Sequence, residues 1–421
     1  MSIGDPEKLL RQLFDRAVAA ADPMLCVPPH LPDKPAGRTL VVGAGKASAR
    51  MAEAVESVWG PCEGLVITRD GYARPCTGIE VVEASHPVPD ARGLSATGRL
   101  LSMLRDLGED DHVLALISGG ASALLVRPAG NISLEEKRLI NERLLASGAP
   151  IDEMNTVRKH LSLVKGGQFA AAAYPARMTS LIISDVAGDD LAFIASGPTV
   201  GDRSKPSDAA TILARHGIEV PASVKDVLAS AGGVLAPDSE LLSRTSNILI
   251  AAPSKSLEAA AGQARGRGIE TVLLGDAIEG EARDVAAEHA RLALDAQAKR
   301  GAGDPPCLLL SGGECTVTRR GSGIGGPNAE YALALALALD GAPGIHAIAC
   351  DTDGVDGAAD VAGATVGPDT LPKAAAQGLD AKAMLADNDS HGFFERIGDQ
   401  VVTGPTLTNV NDFRAILVNS V

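Results

Sequence analysis

Residues 113–125 constrain the chain more than any other stretch. The apolar run Val113-Leu114-Ala115-Leu116 leads through Ser118-Gly119-Gly120 into the small residues Ala121, Ser122 and Ala123. An unbroken apolar run of that length reads as a parallel strand covered on both faces, and paired glycines let the chain turn sharply without a Cβ penalty. The predicted strand, turn and helix start are the building block of an α/β fold, and such a turn offers backbone N–H groups to an anion. The pattern returns in the other half of the chain, where Cys307-Leu308-Leu309-Leu310 leads into Ser311-Gly312-Gly313-Glu314. One strand–glycine turn is common in any α/β protein; a matched pair is the more specific signal.

A length of 421 residues suits two or three domains, and 45% hydrophobic against 22% charged residues is ample for packed cores. Aromatic residues make up only 2% and the formal charge is −15, which leaves little to stack on bases and no basic face for a duplex. Nucleic acid is therefore not an expected partner, although a local basic pocket is compatible with an acidic average. The cysteines, at 26, 62, 76, 307, 315 and 350, show neither CxxC pairs nor zinc spacing, so reduced thiols are expected. Asp5 and Glu7 stand where a signal peptide needs lysines, and no apolar run reaches membrane-spanning length. The expectation is a cytoplasmic protein without a membrane partner.

Along the chain, Asp5-Pro6 reads as a helix cap followed by an amphipathic helix with Leu9, Leu10, Leu13, Phe14 and Val18 on one face. Strands are expected at 39–43, 64–68, 80–83 and 178–184, with helices at 47–58, ending near Leu107, and at 134–146. Composition turns to Gly, Pro and Ser around Gly232 to Asp238, and a domain boundary is placed there, giving domains 1–240 and 241–421. A second α/β series follows: strands at 247–251, 270–274, 308–311, 346–350 and 414–418, and helices at 254–267, 280–300 and 328–339. Alternation of this kind predicts an α/β fold with two domains, each built on a mainly parallel sheet, the first Rossmann-like. The final strand is free to return to the first domain.

Residues carrying candidate chemistry sit at the predicted strand ends. Gly43-Ala44-Gly45-Lys46-Ala47-Ser48 is an imperfect dinucleotide fingerprint, with Ser48 in place of the third glycine and only Asp70 as a distant acid. It does put a lysine at a helix start, where a cation opposes the helix dipole unless an anion sits there. Arg158, Lys159, His160 and Lys165 gather positive charge next to Gly166 and Gly167, either as a solvated basic face or as a grip on a small carboxylate or phosphate. Asp185, Asp189 and Asp190 follow one strand, and Asp351, Asp353 and Asp356 another. Acids at strand C-termini are where an α/β enzyme binds Mg²⁺ or places a base, though ordinary caps and turns also use them.

In order along the chain, the motifs at 43–48, Ser85-His86-Pro87-Val88-Pro89, 118–124, 158–162, 184–189, 311–314 and 351–357 resemble the D-glycerate 2-kinase family, whose C-terminal part is called the MOFRL domain. The resemblance spans nearly the whole chain. It implies two α/β domains, the C-terminal one smaller, an active site in the cleft between them, and transfer of the γ-phosphoryl of MgATP to the 2-hydroxyl of D-glycerate. It also implies that Lys46 is the catalytic lysine. On this basis Ser118, Gly119, Gly120, Arg158, Lys159, His160 and Lys165 are expected to hold substrate, with Asp189 as candidate base. Ser311, Gly312, Gly313, Glu314, Gly323, Gly325, Gly326 and Asn328 are expected to cradle ATP, and Asp351 and Asp353 to meet Mg²⁺. One departure stands out: family members often have arginine after the glycine pair that here precedes Pro327, and Arg319, Arg320 and Arg158 are the candidates to replace its charge. Hydroxypyruvate reductase, with NAD(P)H, and a non-catalytic sensor of sugar acids or phosphate are the alternatives. A homodimer is compatible with the sequence.

Overall fold

The structure, a computed structural model, describes residues 4–35, 37–230 and 233–420. Contacts divide the chain into two compact units: residues 23–185 with 189–250, the first unit, and residues 1–22, 186–188 and 251–421, the second. The sequence boundary at 240 compares with a division at 250/251. Gly232, where the Gly-Pro-Ser stretch begins, lies outside the described residues, as do Met1, Ser2 and Ile3.

In the first unit β1 (Thr39–Ala44), β2 (Glu63–Arg69), β3 (Ile79–Ala84), β4 (His112–Ile117), β5 (Arg177–Ile183) and β6 (Thr245–Ala251) form one sheet, ordered β3-β2-β1-β4-β5-β6. Every pairing from β3 across to β5 is parallel. All of β4 is buried, as its apolar run requires. Strand order reverses between β1 and β4, and in open α/β sheets ligands bind outside the carboxyl ends of the strands at such a switch. A cluster of helices, Leu134–Ala146, Ile151–His160, Pro206–Arg215 and Ala222–Ala229, packs through Ile140, Leu144, Met154, Val157, Ile212 and Val224.

The second unit holds β7 (Glu270–Gly275), β8 (Gly280–Glu281), β9 (Cys307–Gly313), β10 (Cys315–Thr316), β11 (Ile345–Asp351), β12 (Gly363–Val366), β13 (Gln400–Val401) and β14 (Asp412–Val418). Its main sheet runs β13-β12-β11-β14-β9-β7, with β8 and β10 as a separate ribbon. Alternate residues of β9, β11 and β14 face two cores. Leu309, Ala347 and Ile416 meet the alanine-rich helices Ala282–Ala298 and Pro327–Leu339, while Leu310, Ile348 and Phe413 meet the helices Pro6–Ala20 and Pro253–Arg265. Asp5 caps the opening helix with Pro6 at its first turn, and Leu10, Leu13 and Phe14 bury completely, Phe14 lying 5.8 Å from the Phe413 ring. That helix therefore belongs with the C-terminal sheet rather than with residues 23–240.

The α/β class holds, and the first sheet is parallel as expected. The second departs from expectation: β12 and β14 both pair antiparallel with β11, as β13 does with β12 and β14 with β9, and only β7 with β9 is parallel. Buried antiparallel strands flanked by helices carry the same apolar runs as parallel ones, so the sequence pattern does not separate them. Nor does the last strand return to the first domain; β14 lies between β11 and β9. No helix among the described residues is long and apolar enough to cross a membrane.

Candidate functional site

At the switch point the turns after β1 and β4 lock together. Lys46 N–H donates to Gly119 O (2.8 Å) and Ala47 N–H to Ser118 Oγ (3.0 Å), while the Ser48 hydroxyl donates to Gly45 O and Ile67 O. The glycines are explained by this fit. A Cβ on Gly43 would fall on the Leu116 carbonyl, and one on Gly45, whose φ is +135°, would overlap Ser118 Oγ and lie 2.6 Å from Ser118 O. The N–H groups that would greet a pyrophosphate are thus already taken, and Gly43 and Gly45 serve contact between neighbouring strands. Lys46 itself lies before the helix Ser48–Trp59, capped by Ala47, and not in its first turn as expected. In contrast, the N–H groups of Gly119 and Gly120 have no acceptor among the described residues.

A cavity of about 200 Å³ opens beside Gly120, lined by His86, Pro87, Pro89, Gly120, Ser122, Ala123, Lys137, Asn141, Arg158 and Lys165. It is smaller than the ~300–1,000 Å³ of typical drug-sized sites, and so suits a small ligand. A Cβ on Gly120 would come within 3.0 Å of His86 Nε2 and 3.2 Å of Lys46 Cγ, so both side chains reach the same corner. Three cations converge on the walls. Lys165, 1% exposed, donates to Ser122 O and Ser122 Oγ, both at 2.9 Å, and to Ala195 O at 3.4 Å. Burial, reinforced by Lys137, Arg158 and Lys159, drives its ammonium well below the ordinary lysine range. Burial with Arg158 beside it lowers Lys137 to about 8, and burial lowers Arg158 as well. No carboxylate among the described residues pairs with any of the three. Charges buried together without a counter-ion are costly, and an anionic ligand is what would relieve them.

The expected basic cluster thus divides. Arg158 and Lys165 line the cavity, whereas Lys159 pairs with Asp202 and reaches over the Phe193 ring, and His160 bonds Ser204 Oγ (3.0 Å) beside a different hollow. Burial works to raise the Asp202 carboxyl, but Lys159 and the Ser204 hydroxyl and N–H outweigh it and bring it to about 2. Sequence reasoning missed Lys137. Its signal was position: Leu134, Lys137, Ile140 and Leu144 form the buried stripe of one helix, and a lysine on an apolar stripe needs a reason to be there.

The loop after β5 closes the region through strained backbone. Asp189, Ala195 and Ser196 adopt φ of 56°, 54° and 61°, and Ser196 Oγ meets Ser122 Oγ at 2.9 Å. Such conformations persist only where surrounding contacts enforce them. Asp189 is half-buried, and its Oδ1 is enclosed with no hydrogen-bond partner among the described residues.

In the second unit the glycine motifs take other roles. Ser311, Gly312 and Gly313 do not turn into a helix; they finish β9, buried in register with Arg414, Phe413 and Asp412 of β14, and Glu314 is exposed. Segment 320–324 is pinned by its own backbone: the N–H groups of Arg320 and Gly321 donate to Asn388 Oδ1, that of Gly323 to Asp387 O, and that of Ile324 to Asp389 Oδ1. A Cβ on Gly323 or Gly325 would strike Asp389 or Ser390. The start of the helix Pro327–Leu339 is filled too, because Asp356 accepts from the N–H groups of Asn328 (2.9 Å) and Ala329 (2.8 Å). Asn328 Nδ2 is bound to Asp412 at 2.7 Å. Asp351 Oδ1 accepts the Asp353 N–H, and Asp353 Oδ1 the Val355 N–H, both at 2.8 Å. Among the described residues no three His, Cys, Asp or Glu side chains are grouped to hold a metal. Of the candidates for the charge missing at Pro327, Arg319 and Arg320 are exposed, and Arg158 lines the cavity of the first unit.

Residues 9–229 match a family described as a domain of unknown function, DUF4147, and residues 307–412 match the MOFRL family. A protein of Agrobacterium vitis provisionally named hydroxypyruvate reductase is 52% identical, over 98% of this chain and 94% of its own. The D-glycerate 2-kinase of Thermotoga maritima is 39% identical, over 97% of this chain and 98% of its own. The crystal structure of a glycerate kinase from Thermotoga maritima matches with a TM-score of 0.90 at 38% identity, covering 98% of this chain and 99% of that one.

Proposed function

Because the chain belongs to the glycerate 2-kinase family, with its DUF4147 and MOFRL regions, we propose that it is an ATP-dependent kinase that phosphorylates the 2-hydroxyl of D-glycerate to give 2-phosphoglycerate and ADP. The observation that carries the reading is the small cavity with Lys137, Arg158 and Lys165 buried around it and no carboxylate among the described residues to neutralise them. A compact organic acid supplies the missing negative charge.

Phosphoryl transfer asks a protein mainly to position reactants and to neutralise charge spreading over the transferred group. Lys46, which reaches the Gly120 corner, is suited to that second task. Asp189 has an enclosed oxygen with an unused lone pair, and is proposed to take the hydroxyl proton. Magnesium arrives as part of the MgATP substrate, and one or two carboxylates are enough to meet it. Asp351 and Asp353 are proposed for that role. The ATP-cradling role expected for Gly323, Gly325, Gly326 and Asn328 is narrowed by the bonds that already occupy their surroundings.

The reductase reading draws on the name of the 52% identical relative. The filled turn after β1 speaks against it, since a nicotinamide dinucleotide needs those N–H groups for its pyrophosphate. Purified protein mixed with D-glycerate and MgATP is expected to release ADP, with phosphorus NMR showing the phosphate on C2. Oxidation of NADH with hydroxypyruvate and no ADP release would overturn the kinase in favour of the reductase; glycerate binding with neither reaction would make the protein a sensor.

A further inference from the structure

Among the described residues three lysines are buried, and two of them have partners within the chain: Lys159 has Asp202, and Lys165 has the Ser122 carbonyl and hydroxyl. Lys137 is different. It is 3% exposed, lines the cavity, and has no acceptor for its Nζ among the described residues. Its place is firmly set, because the helix Leu134–Ala146 starts with a reciprocal cap between Ser133 and Glu136 and is held by Ile140 and Leu144 in the apolar cluster. The helix cannot rotate Lys137 to solvent without exposing that stripe. One turn further on, Asn141 lines the same wall, and Arg138 anchors the rim by donating to Pro89 O at 2.7 Å.

We infer that Lys137 is the residue that selects an acid: it binds the substrate carboxylate, and through it the protein discriminates glycerate from a neutral polyol such as glycerol. The inference rests on the kinase reading for the identity of the acid, but it concerns binding and not transfer. A site whose buried polar group is left unpaired by an analogue rejects that analogue strongly, by up to ~10⁴-fold where the pairing is well formed. Glycerol offers hydroxyls and no charge, so it leaves Lys137 as it is in the empty cavity.

A linkage to protons follows. The charged groups facing Lys137 are Arg158 and Lys165, and His86 shares the cavity; in the empty site burial and Arg158 bring the lysine to about 8. A bound carboxylate favours the charged form and raises that value. Below pH 8 the lysine is already charged and binding takes up no proton at Lys137. Above pH 8 the empty lysine is neutral, so binding must draw in a proton, and affinity weakens by up to about tenfold per pH unit until the pKa of the bound state is passed.

Calorimetric titration of the full chain with D-glycerate, at pH 7 and pH 9 in buffers of different ionisation enthalpy, reads all of this without catalysis. Wild-type protein is expected to bind more weakly at pH 9 and to take up protons there. Lys137→Met is expected to lose on the order of 10²-fold or more in affinity at pH 7 and to take up fewer protons than wild-type protein at pH 9. Its melting temperature without ligand should be unchanged or higher, because an unpaired buried charge has gone; a structural lysine would show the opposite. Lys137→Gln serves if the methionine variant does not fold, and the proton uptake of wild-type protein needs no variant. Unchanged glycerate affinity in either variant, pH-independent binding by wild-type protein, or binding of inorganic phosphate but not glycerate would each overturn the assignment. Glycerate binding with the expected behaviour but no ADP release would leave it standing and refute the kinase reading alone.

Discussion

Gly45→Ala tests whether the glycine turn after β1 exists for strand packing or for a dinucleotide. An added Cβ would overlap Ser118 Oγ and lie 2.6 Å from Ser118 O, at a φ of +135° that side chains avoid. Overpacking a tight site costs ~1–3 kcal/mol and unfavourable backbone about the same. Displacing Ser118 Oγ also breaks its bond from the Ala47 N–H, for about 1 kcal/mol more. The sum is ~3–7 kcal/mol. Trp59, the only tryptophan in the chain, ends the helix that follows this turn, so its fluorescence follows unfolding of the unit concerned. With a urea slope of about 3 kcal/mol/M, the midpoint should fall by ~1–2 M. Ser118→Ala in the same background relieves only part of the overlap, since the carbonyl remains, so the two effects should be non-additive. A Gly45→Ala protein that unfolds at the wild-type midpoint but no longer binds a nicotinamide dinucleotide would refute the packing argument and revive the reductase.

Lys46→Met should lower turnover by on the order of 10²-fold, measured by coupled ADP release, with the fold intact; near-normal turnover would remove Lys46 from the mechanism. Lys159→Met should weaken stability and leave glycerate affinity within about twofold, because its charge is committed to Asp202, whereas Arg158→Met should do the reverse. Asp202 is lowered to about 2 when folded, so its stabilising contribution is complete above the ordinary carboxylate range near ~4 and is lost as pH falls through that interval. Asp202→Asn should therefore be less stable than wild type at pH 7, with the gap closing toward pH 2 in urea titrations; a gap independent of pH would refute the pairing.

Much of the fold was legible because each element carried its own local signal. Asp5-Pro6 announced the opening helix, and the apolar runs before Gly43 and Gly119 gave β1 and β4. The strand expected at 178–184 appears as Arg177–Ile183, and the helix expected at 134–146 as Leu134–Ala146. The short β12 and β13, and the helices between 370 and 397, had no comparable apolar run and were not foreseen. The echo of Ser-Gly-Gly misled, because identical residues can turn toward a helix after β4 or finish a strand in β9, depending on which backbone lies beside them.

What the sequence by itself determined was the α/β class, most element positions, and the presence of spare positive charge in an acidic chain. Only the tertiary structure decided where that charge goes. Arg158 and Lys159 are neighbours in sequence, yet successive residues on a helix point about 100° apart, so one reaches the cavity and the other reaches Asp202. Lys137 and Lys165 come from distant segments, and nothing in the order of residues says they share a wall. Counter-ions are assigned by proximity in space, and that is settled only once the helices have packed.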